Sequence, residues 1–345
     1  MEEKDFHNKI NWFTFLFSLL VIWVHSYNAV LFLGNSKAAV RLDHLERFLG
    51  EKVAQIAVPG FFLISSYLFF RTFSMERLWG KWNSRIRSVL VPYIVWNLLY
   101  YLGYVAGSRL PVVSELIGKG KVPFHFQAAA EAVLHYTYNY VFWYLYQLIL
   151  LILLAPLIFL ALKHKKAGAL FLAGILAAIY LGGTLPALNL DALFYYSFGA
   201  YAALHGKRLV EGAFCRKRFA AGLLLVGAGL LIRGIDLPGE AKGEFAVTTV
   251  LLRLLVPAGL WLLVPEGLLG EAREWMKQNF FLYAVHFAMV RLINKTGALL
   301  LPAFFVLPLG LFLFMPILCV MLSYWAGLFL RRYFPALWSL LNGGR

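Results

Sequence analysis

Ten apolar runs constrain this chain more than anything else in it. They cover roughly 11–33, 52–73, 89–106, 140–162, 167–183, 189–205, 219–235, 245–264, 278–300 and 304–330 of the 345 residues. A helix of ~20 apolar residues crosses the hydrocarbon core of a bilayer, and tilt absorbs differences in length. So many runs cannot all be buried in a water-soluble core. The composition agrees, with 61% hydrophobic and 14% charged residues, where a soluble domain carries roughly 25% charged. Mean hydropathy is +0.72. These values exclude a soluble globule, a disordered chain and a disulfide-stapled secreted module. The expectation is an all-α polytopic membrane protein, a bundle of about ten transmembrane helices forming a single domain over 1–345. The first run is too long for a signal-peptide core and lacks a small-x-small cleavage site, so it reads as a retained span. The one sizeable soluble stretch is 107–139.

Charge sets the orientation. The chain carries 32 Lys and Arg against 17 Asp and Glu, a net +15. In a soluble protein such an excess points to nucleic acid, but no nucleic-acid motif is present, and membrane proteins gather Lys and Arg in cytoplasmic loops. With the N-terminus inside, 20 cations, Arg345 among them, fall on inner segments and 11, including Lys119, Lys242 and Arg291, on the outer side, while Arg253 lies within the eighth run. Both termini are therefore expected in the cytoplasm. The segment from Arg71 to Arg87 holds five cations, Arg71, Arg77, Lys81, Arg85 and Arg87, and one acid, Glu76. Topology alone accounts for it. The sharper reading is an anion site, since Arg binds phosphate through paired hydrogen bonds. Cys215 and Cys319 belong at different depths and are not expected to pair. No metal-ligand spacing occurs. No internal repeat supports an inverted-repeat transporter.

Polar residues inside the runs fall into stripes. Asn11, Thr14, Ser18, His25 and Asn28 are separated by steps of 3, 4, 7 and 3, which keeps them on one helical face. His25 is the ionisable member, about 21 Å beyond Asn11 at 1.5 Å per residue and so past the midplane toward the outer side. The ninth run repeats the pattern with Asn279, Tyr283, His286 and Asn294. The third carries Tyr93, Asn97, Tyr100 or Tyr101, and Tyr104, and the fourth Tyr140, Trp143 or Tyr144, and Gln147. Any single tyrosine is explained by interhelical hydrogen bonding or an interfacial belt. Four such stripes together imply a shared polar interior cavity, and an ionisable group at membrane depth is a candidate functional site by default.

These residues resemble the acyltransferase 3 family of integral-membrane O-acyltransferases. Ile10-Asn11-Trp12 through Val24-His25-Ser26 is similar to its first helix, in which a histidine follows a long apolar run. Gly60-Phe61-Phe62-Leu63-Ile64-Ser65-Ser66-Tyr67-Leu68 with Arg71 resembles its Phe-rich Ser-Gly-Tyr segment. Arg85-x-Arg87 before Val91-Pro92-Tyr93 resembles its basic stretch entering a Pro-Tyr helix. Phe142-Trp143-Tyr144-Leu145 through Pro156, and Phe280-Phe281-Leu282-Tyr283-Ala284-Val285-His286, resemble two later motifs. The family's early acid and arginine positions are Asn11 and Thr14 here, and its Ser-Gly is Ser65-Ser66. Either another cation, Arg71 or Arg85, takes the arginine's part, or the chain is a divergent branch.

The resemblance implies acyl transfer from cytoplasmic acyl-CoA, by default acetyl-CoA, to a hydroxyl of a cell-envelope glycan or lipid-linked sugar. It also implies the bacterial cytoplasmic membrane as the location. An alcohol attacks a thioester only as a base removes its proton, and imidazole, with an ordinary pKa of about 6.5, suits that task. His25 is the candidate base, or the nucleophile of an acyl-imidazole relay. Ser65, Tyr283, His286 and Trp143 are candidate donors to the oxyanion. Arg71, Arg85 and Arg87 are candidates for the CoA phosphates. The rival class is a transporter or flippase of a lipid-linked sugar, against which stands the lack of paired membrane carboxylates. A non-catalytic partner of an envelope enzyme is the third reading.

Overall fold

A computed structural model describes residues 1–118, 120–235, 237, 246–302 and 304–344. Lys119, Lys242 and Arg345 of the charge count lie outside the described residues. Among the described residues there is no strand. In chain order the helices are α1 (Glu3–His25), α2 (Ala29–Leu33), α3 (Lys37–Arg47), α4 (Ala57–Phe70), α5 (Leu78–Arg85), α6 (Val91–Gly107), α7 (Pro111–Ile117), α8 (Phe126–Leu134), α9 (Trp143–Leu153) and α10 (Ala155–Leu162). They continue with α11 (Lys165–Tyr180), α12 (Leu190–His205), α13 (Lys207–Glu211), α14 (Arg216–Arg233), α15 (Val247–Leu263), α16 (Glu274–Lys277), α17 (Asn279–Leu300), α18 (Val306–Tyr333) and α19 (Pro335–Asn342).

All ten apolar runs are helical where described, and two are broken. The fourth bends by 62° between α9 and α10, where Pro156 in the first turn of α10 has no N–H to continue the ladder. The first run stops at His25 and resumes at Ala29, so the expected continuous helix carrying Asn28 on its face does not form. By length and composition, four stretches among the described residues are able to cross a membrane: Glu3–Leu33, Lys37–Phe70, Leu78–Gly107 and Val306–Tyr333. The bent pair makes a fifth, and Val247–Leu263 is a shorter apolar helix.

The chain forms two compact units. The first comprises Met1–Val24, Arg47–Trp79 and Leu150–Asn279. Its helices touch through small residues, as expected where lipid removes the hydrophobic drive and close packing must hold helices together. A Cβ on Gly222 of α14 would lie 2.9 Å from the Gly259 carbonyl oxygen of α15, and one on Gly259 would lie 2.8 Å from that of Gly222. A Cβ on Gly199 of α12 would come within 2.6 Å of the Leu63 carbonyl oxygen of α4. Lys9, buried, closes the end of α15: Nζ donates to the carbonyls of Trp261 at 2.7 Å and Val264 at 2.6 Å and sits 4.6 Å from the Trp261 ring centre. A cation suits the negative end of a helix, where carbonyls lack partners. The first polar stripe is satisfied here by Asn279, whose amide donates to Thr14 Oγ1 at 3.0 Å and accepts from Ser18 Oγ at 3.3 Å. A cavity of about 340 Å³ lies in this unit, walled by side chains such as Phe6, Ile10, Leu63, Phe198 and Trp261. Its lining is mostly apolar, with Tyr67, Lys165 and His205 among it, and contains none of the stripe residues, unlike the polar cavity expected from them.

The second unit comprises His25–Glu46, Gly80–Ile149 and Phe280–Arg345. Several tyrosines of its α6 stripe are structural. Tyr93 donates to the Val133 carbonyl at 2.6 Å and Tyr101 to that of Pro123 at 2.9 Å, fastening the 120–135 segment to the helix. Tyr100 donates to the Ala284 carbonyl at 2.9 Å.

Candidate active site

His25 sits where α1 ends, and the three residues that follow explain why it ends there. Ser and Asn side chains compete with the helix ladder for backbone partners, but a break at membrane depth also needs replacement partners for the freed groups. Both are present. The Glu46 carboxylate of α3 accepts from the backbone N–H of Asn28 at 3.1 Å and of Ala29 at 3.2 Å. The Asn294 amide of α17 donates to the Ser26 carbonyl at 3.2 Å. The Asn28 amide donates to Asn294 Oδ1 at 3.3 Å and to the Pro308 carbonyl at 3.2 Å. Ser26, Asn28 and Glu46 are all buried. His25 is thus presented on a fixed, non-helical corner.

Four rings converge on that corner. Tyr140 Oη lies 2.9 Å from His25 Nδ1. The Phe287 ring stands edge-on to Tyr140 at 4.6 Å and to His25 at 5.7 Å, between centroids. His286 lies 5.4 Å from His25, tilted by 39°. Tyr140 begins a short 3-10 turn, Tyr140–Phe142, just before α9. The preceding loop places Tyr136 at φ 42°, a left-handed value that is uncommon outside glycine, and the Asn139 N–H closes the turn onto the Tyr136 carbonyl at 2.9 Å. Among the described residues nothing hydrogen-bonds His25 Nε2, and the ring is partly exposed.

The remaining candidates separate. Tyr283 donates its hydroxyl hydrogen to the Val141 carbonyl at 2.5 Å and stacks on Phe142 at 5.4 Å. His286 Nδ1 is 2.6 Å from the Tyr283 carbonyl. Both hydrogens are thereby committed, so in this arrangement neither neutral side chain has one to offer an oxyanion. Trp143 opens α9, half-buried. Arg85 closes α5, and Arg87 lies exposed in a single π-helical turn, Ile86–Leu90, that leads into α6. Ser65 and Arg71 belong to the first unit. Four of the five Arg71 N–H groups are engaged there: Nε and Nη2 donate to Glu211 at 2.7 and 3.0 Å, and Nη1 and Nη2 to Glu3 at 2.5 and 2.6 Å. To hold a phosphate it must release a carboxylate.

Two residues at the corner were not singled out from sequence. Tyr140 was one tyrosine of many, and Arg291 was counted as an outer cation. Arg291 lies 5.6 Å from the Phe287 ring centre and donates to Tyr104 Oη at 2.9 Å. The steps from 283 to 287 to 291 were the available signal, because residues four apart share a helix face.

Residues 7–326 match the family Acyl_transf_3, described as an acyltransferase domain. The chain is similar to the succinoglycan biosynthesis protein ExoH of Rhizobium meliloti (strain 1021), 28% identical over 363 residues that cover 98% of this chain and 92% of the relative. No solved structure matches.

Proposed function

The chain belongs to the acyltransferase 3 family, and on that premise we propose that it moves an acyl group from cytoplasmic acyl-CoA to a hydroxyl of an envelope polysaccharide or its lipid-linked precursor. The observation that carries this reading is the His25 corner. A partly exposed imidazole, one nitrogen engaged by Tyr140 and the other with no hydrogen-bond partner among the described residues, is held where the first helix breaks. A base for an alcohol needs fixed orientation and a neutral imidazole lone pair that reaches the alcohol directly or through a relaying group. In the tautomer that leaves the lone pair on the second nitrogen, the same ring serves an acyl-imidazole relay. The similarity to a succinoglycan biosynthesis protein favours a polysaccharide acceptor.

In this reading ten helices cross the bacterial cytoplasmic membrane with both termini inside. Arg85 and Arg87 bind the CoA phosphates at the inner face, and acetyl-CoA is the donor to try first. The test is transfer of label from acetyl-CoA, with succinyl-CoA in parallel, to a glycan extract in membranes containing the protein. Transfer that disappears in His25→Ala at normal expression supports the reading. Glycan movement without label transfer favours the flippase instead, and unchanged transfer in His25→Ala removes His25 from the chemistry.

A further inference from the structure

The Tyr283 carbonyl decides the direction of a chain of protons. A carbonyl only accepts, so the hydrogen at this contact is on His286 Nδ1, and the neutral ring's Nε2 is a bare lone pair. That nitrogen is buried and has no hydrogen-bond partner among the described residues. A buried acceptor left unmet is costly. The neighbouring ring able to meet it is His25, 5.4 Å away between centroids. The two are not hydrogen-bonded in this structure, and catalytic pairs commonly tighten only once substrate is bound. If His25 Nε2–H turns to His286, His25 Nδ1 must be the acceptor, and the Tyr140 hydroxyl at 2.9 Å must be the donor. Every hydrogen then points the same way, from Tyr140 through His25 and His286 to the Tyr283 carbonyl. At the outer end is the Tyr140 oxygen, to which no group among the described residues donates in this arrangement. Its residue is 50% exposed and is braced edge-on by Phe287.

We propose that Tyr140 is the residue that touches the acceptor hydroxyl, with His25 acting through it. This rests on the acyl-transfer reading above. The acceptor oxygen forms a bond to the thioester carbonyl carbon, and its hydrogen passes to the Tyr140 oxygen. The Tyr140 hydrogen passes in turn to His25 Nδ1, giving an imidazolium whose Nε2–H faces the His286 lone pair. Collapse of the tetrahedral intermediate breaks the C–S bond. The proton returns by the same path to the departing sulfur, leaving an ester and free CoA thiol. Tyr140 is then a catalytic residue, and His286 a positioning residue that fixes the tautomer of His25.

The experiment uses the purified full-length protein in lipid nanodiscs, with labelled acetyl-CoA and a glycan acceptor. Tyr140→Phe keeps the ring against Phe287 and His25 and removes one hydroxyl. It should lower kcat by about 10²-fold or more, the range of a lost acid–base group, with the donor KM unchanged. At His286, Gln places an amide oxygen near the Nε2 position, whereas Asn replaces only the Nδ1–H donor. His286→Gln should therefore retain more kcat than His286→Asn, a difference that a purely structural role does not produce. Wild-type kcat in Tyr140→Phe, or equal kcat in the two His286 variants, overturns the proposal. If His25→Ala is also fully active, acyl transfer through this corner fails as a whole. Loss at His25 with full activity in Tyr140→Phe overturns the Tyr140 assignment alone.

Discussion

Arg71 and His25 each centre a polar cluster, one in each compact unit, and the two clusters differ in what they leave over. The Arg71 guanidinium meets two carboxylates, and Tyr67 donates to one of them, Glu211 Oε1, at 2.6 Å. It also lies over the Phe6 ring at 4.6 Å. One guanidinium thus serves two carboxylates, Glu211 half-buried and Glu3 largely exposed, and hydrogen-bonded pairing of this kind is what makes partly buried charge tolerable. At the His25 corner, by contrast, His286 Nε2 and His25 Nε2 have no hydrogen-bond partner among the described residues, while aromatic rings pack around them. A saturated cluster holds helices in place. An unsaturated one keeps capacity to bind or move a proton, and it is maintained at a cost in stability. Both were marked from sequence as candidate chemistry, and partner counting tells them apart.

The strongest way to break that contrast is to remove the unsaturated group. His25→Asn should lower transfer by roughly 10²- to 10⁴-fold, the usual worth of a base, while the thermal midpoint in detergent stays within a few degrees. A large drop in thermal midpoint with little loss of turnover per folded molecule would place His25 among the structural groups.

The opposite outcome is expected at the saturated cluster. Arg71→Met leaves the Glu211 carboxylate, whose side chain is 15% exposed, without its main partner. Breaking a fully buried pair costs about 3–5 kcal/mol; solvent screening of this partly buried one reduces the cost to about 1–2 kcal/mol, read as a fall in thermal midpoint. The pH dependence has a definite sign. Burial opposes ionisation of Glu211, but hydrogen bonds from Arg71 and Tyr67 outweigh it and hold the carboxyl below its ordinary 4.5. A depressed folded-state pKa contributes stability that is present above the unfolded value and is lost as pH falls toward the folded one. The midpoint should therefore fall on acidification below about pH 5 in the wild type and respond less in Arg71→Met. An equal acid response in both proteins would show that Glu211 is not the group being titrated.

Much of the helical framework was legible because it is written in local pattern. Apolar runs reach helix length wherever they occur, and steps of 3 and 4 marked Thr14, Ser18, Asn279 and His286 as polar stripe residues; that Thr14 and Ser18 meet Asn279, and His25 lies beside His286, is seen only in the structure. What stayed hidden depends on partners distant in sequence. Nothing near residue 26 announces the helix break, because the carboxylate that meets Asn28 and Ala29 is on Glu46. Arg71 looked like a phosphate ligand because Glu3 and Glu211, its partners, lie in other segments. Tyr140 was indistinguishable from Tyr93 and Tyr101 until its contact with His25 was known, since all three sit in similar aromatic stripes. The span count shares this limit: helicity follows from the runs, but crossing is a property of helix and bilayer together.

The smallest effects test whether the first unit acts only as a scaffold. Gly222 and Gly227 lie on the same helix, α14, but meet different surroundings. A methyl on Gly222 would press to 2.9 Å on the Gly259 carbonyl and 2.8 Å on the Leu263 side chain, whereas nothing lies within 4 Å of one on Gly227. Overpacking costs about 1–3 kcal/mol, so Gly222→Ala should lower the thermal midpoint. Gly227→Ala removes backbone freedom from the unfolded chain without a clash and should raise stability by about 0.5–1 kcal/mol. Neither should change kcat per folded molecule. A kcat effect at Gly222 equal to the one at His25 would mean that the packing of α14 on α15 sets the chemistry, and the division between a closed scaffold and an open site would no longer hold.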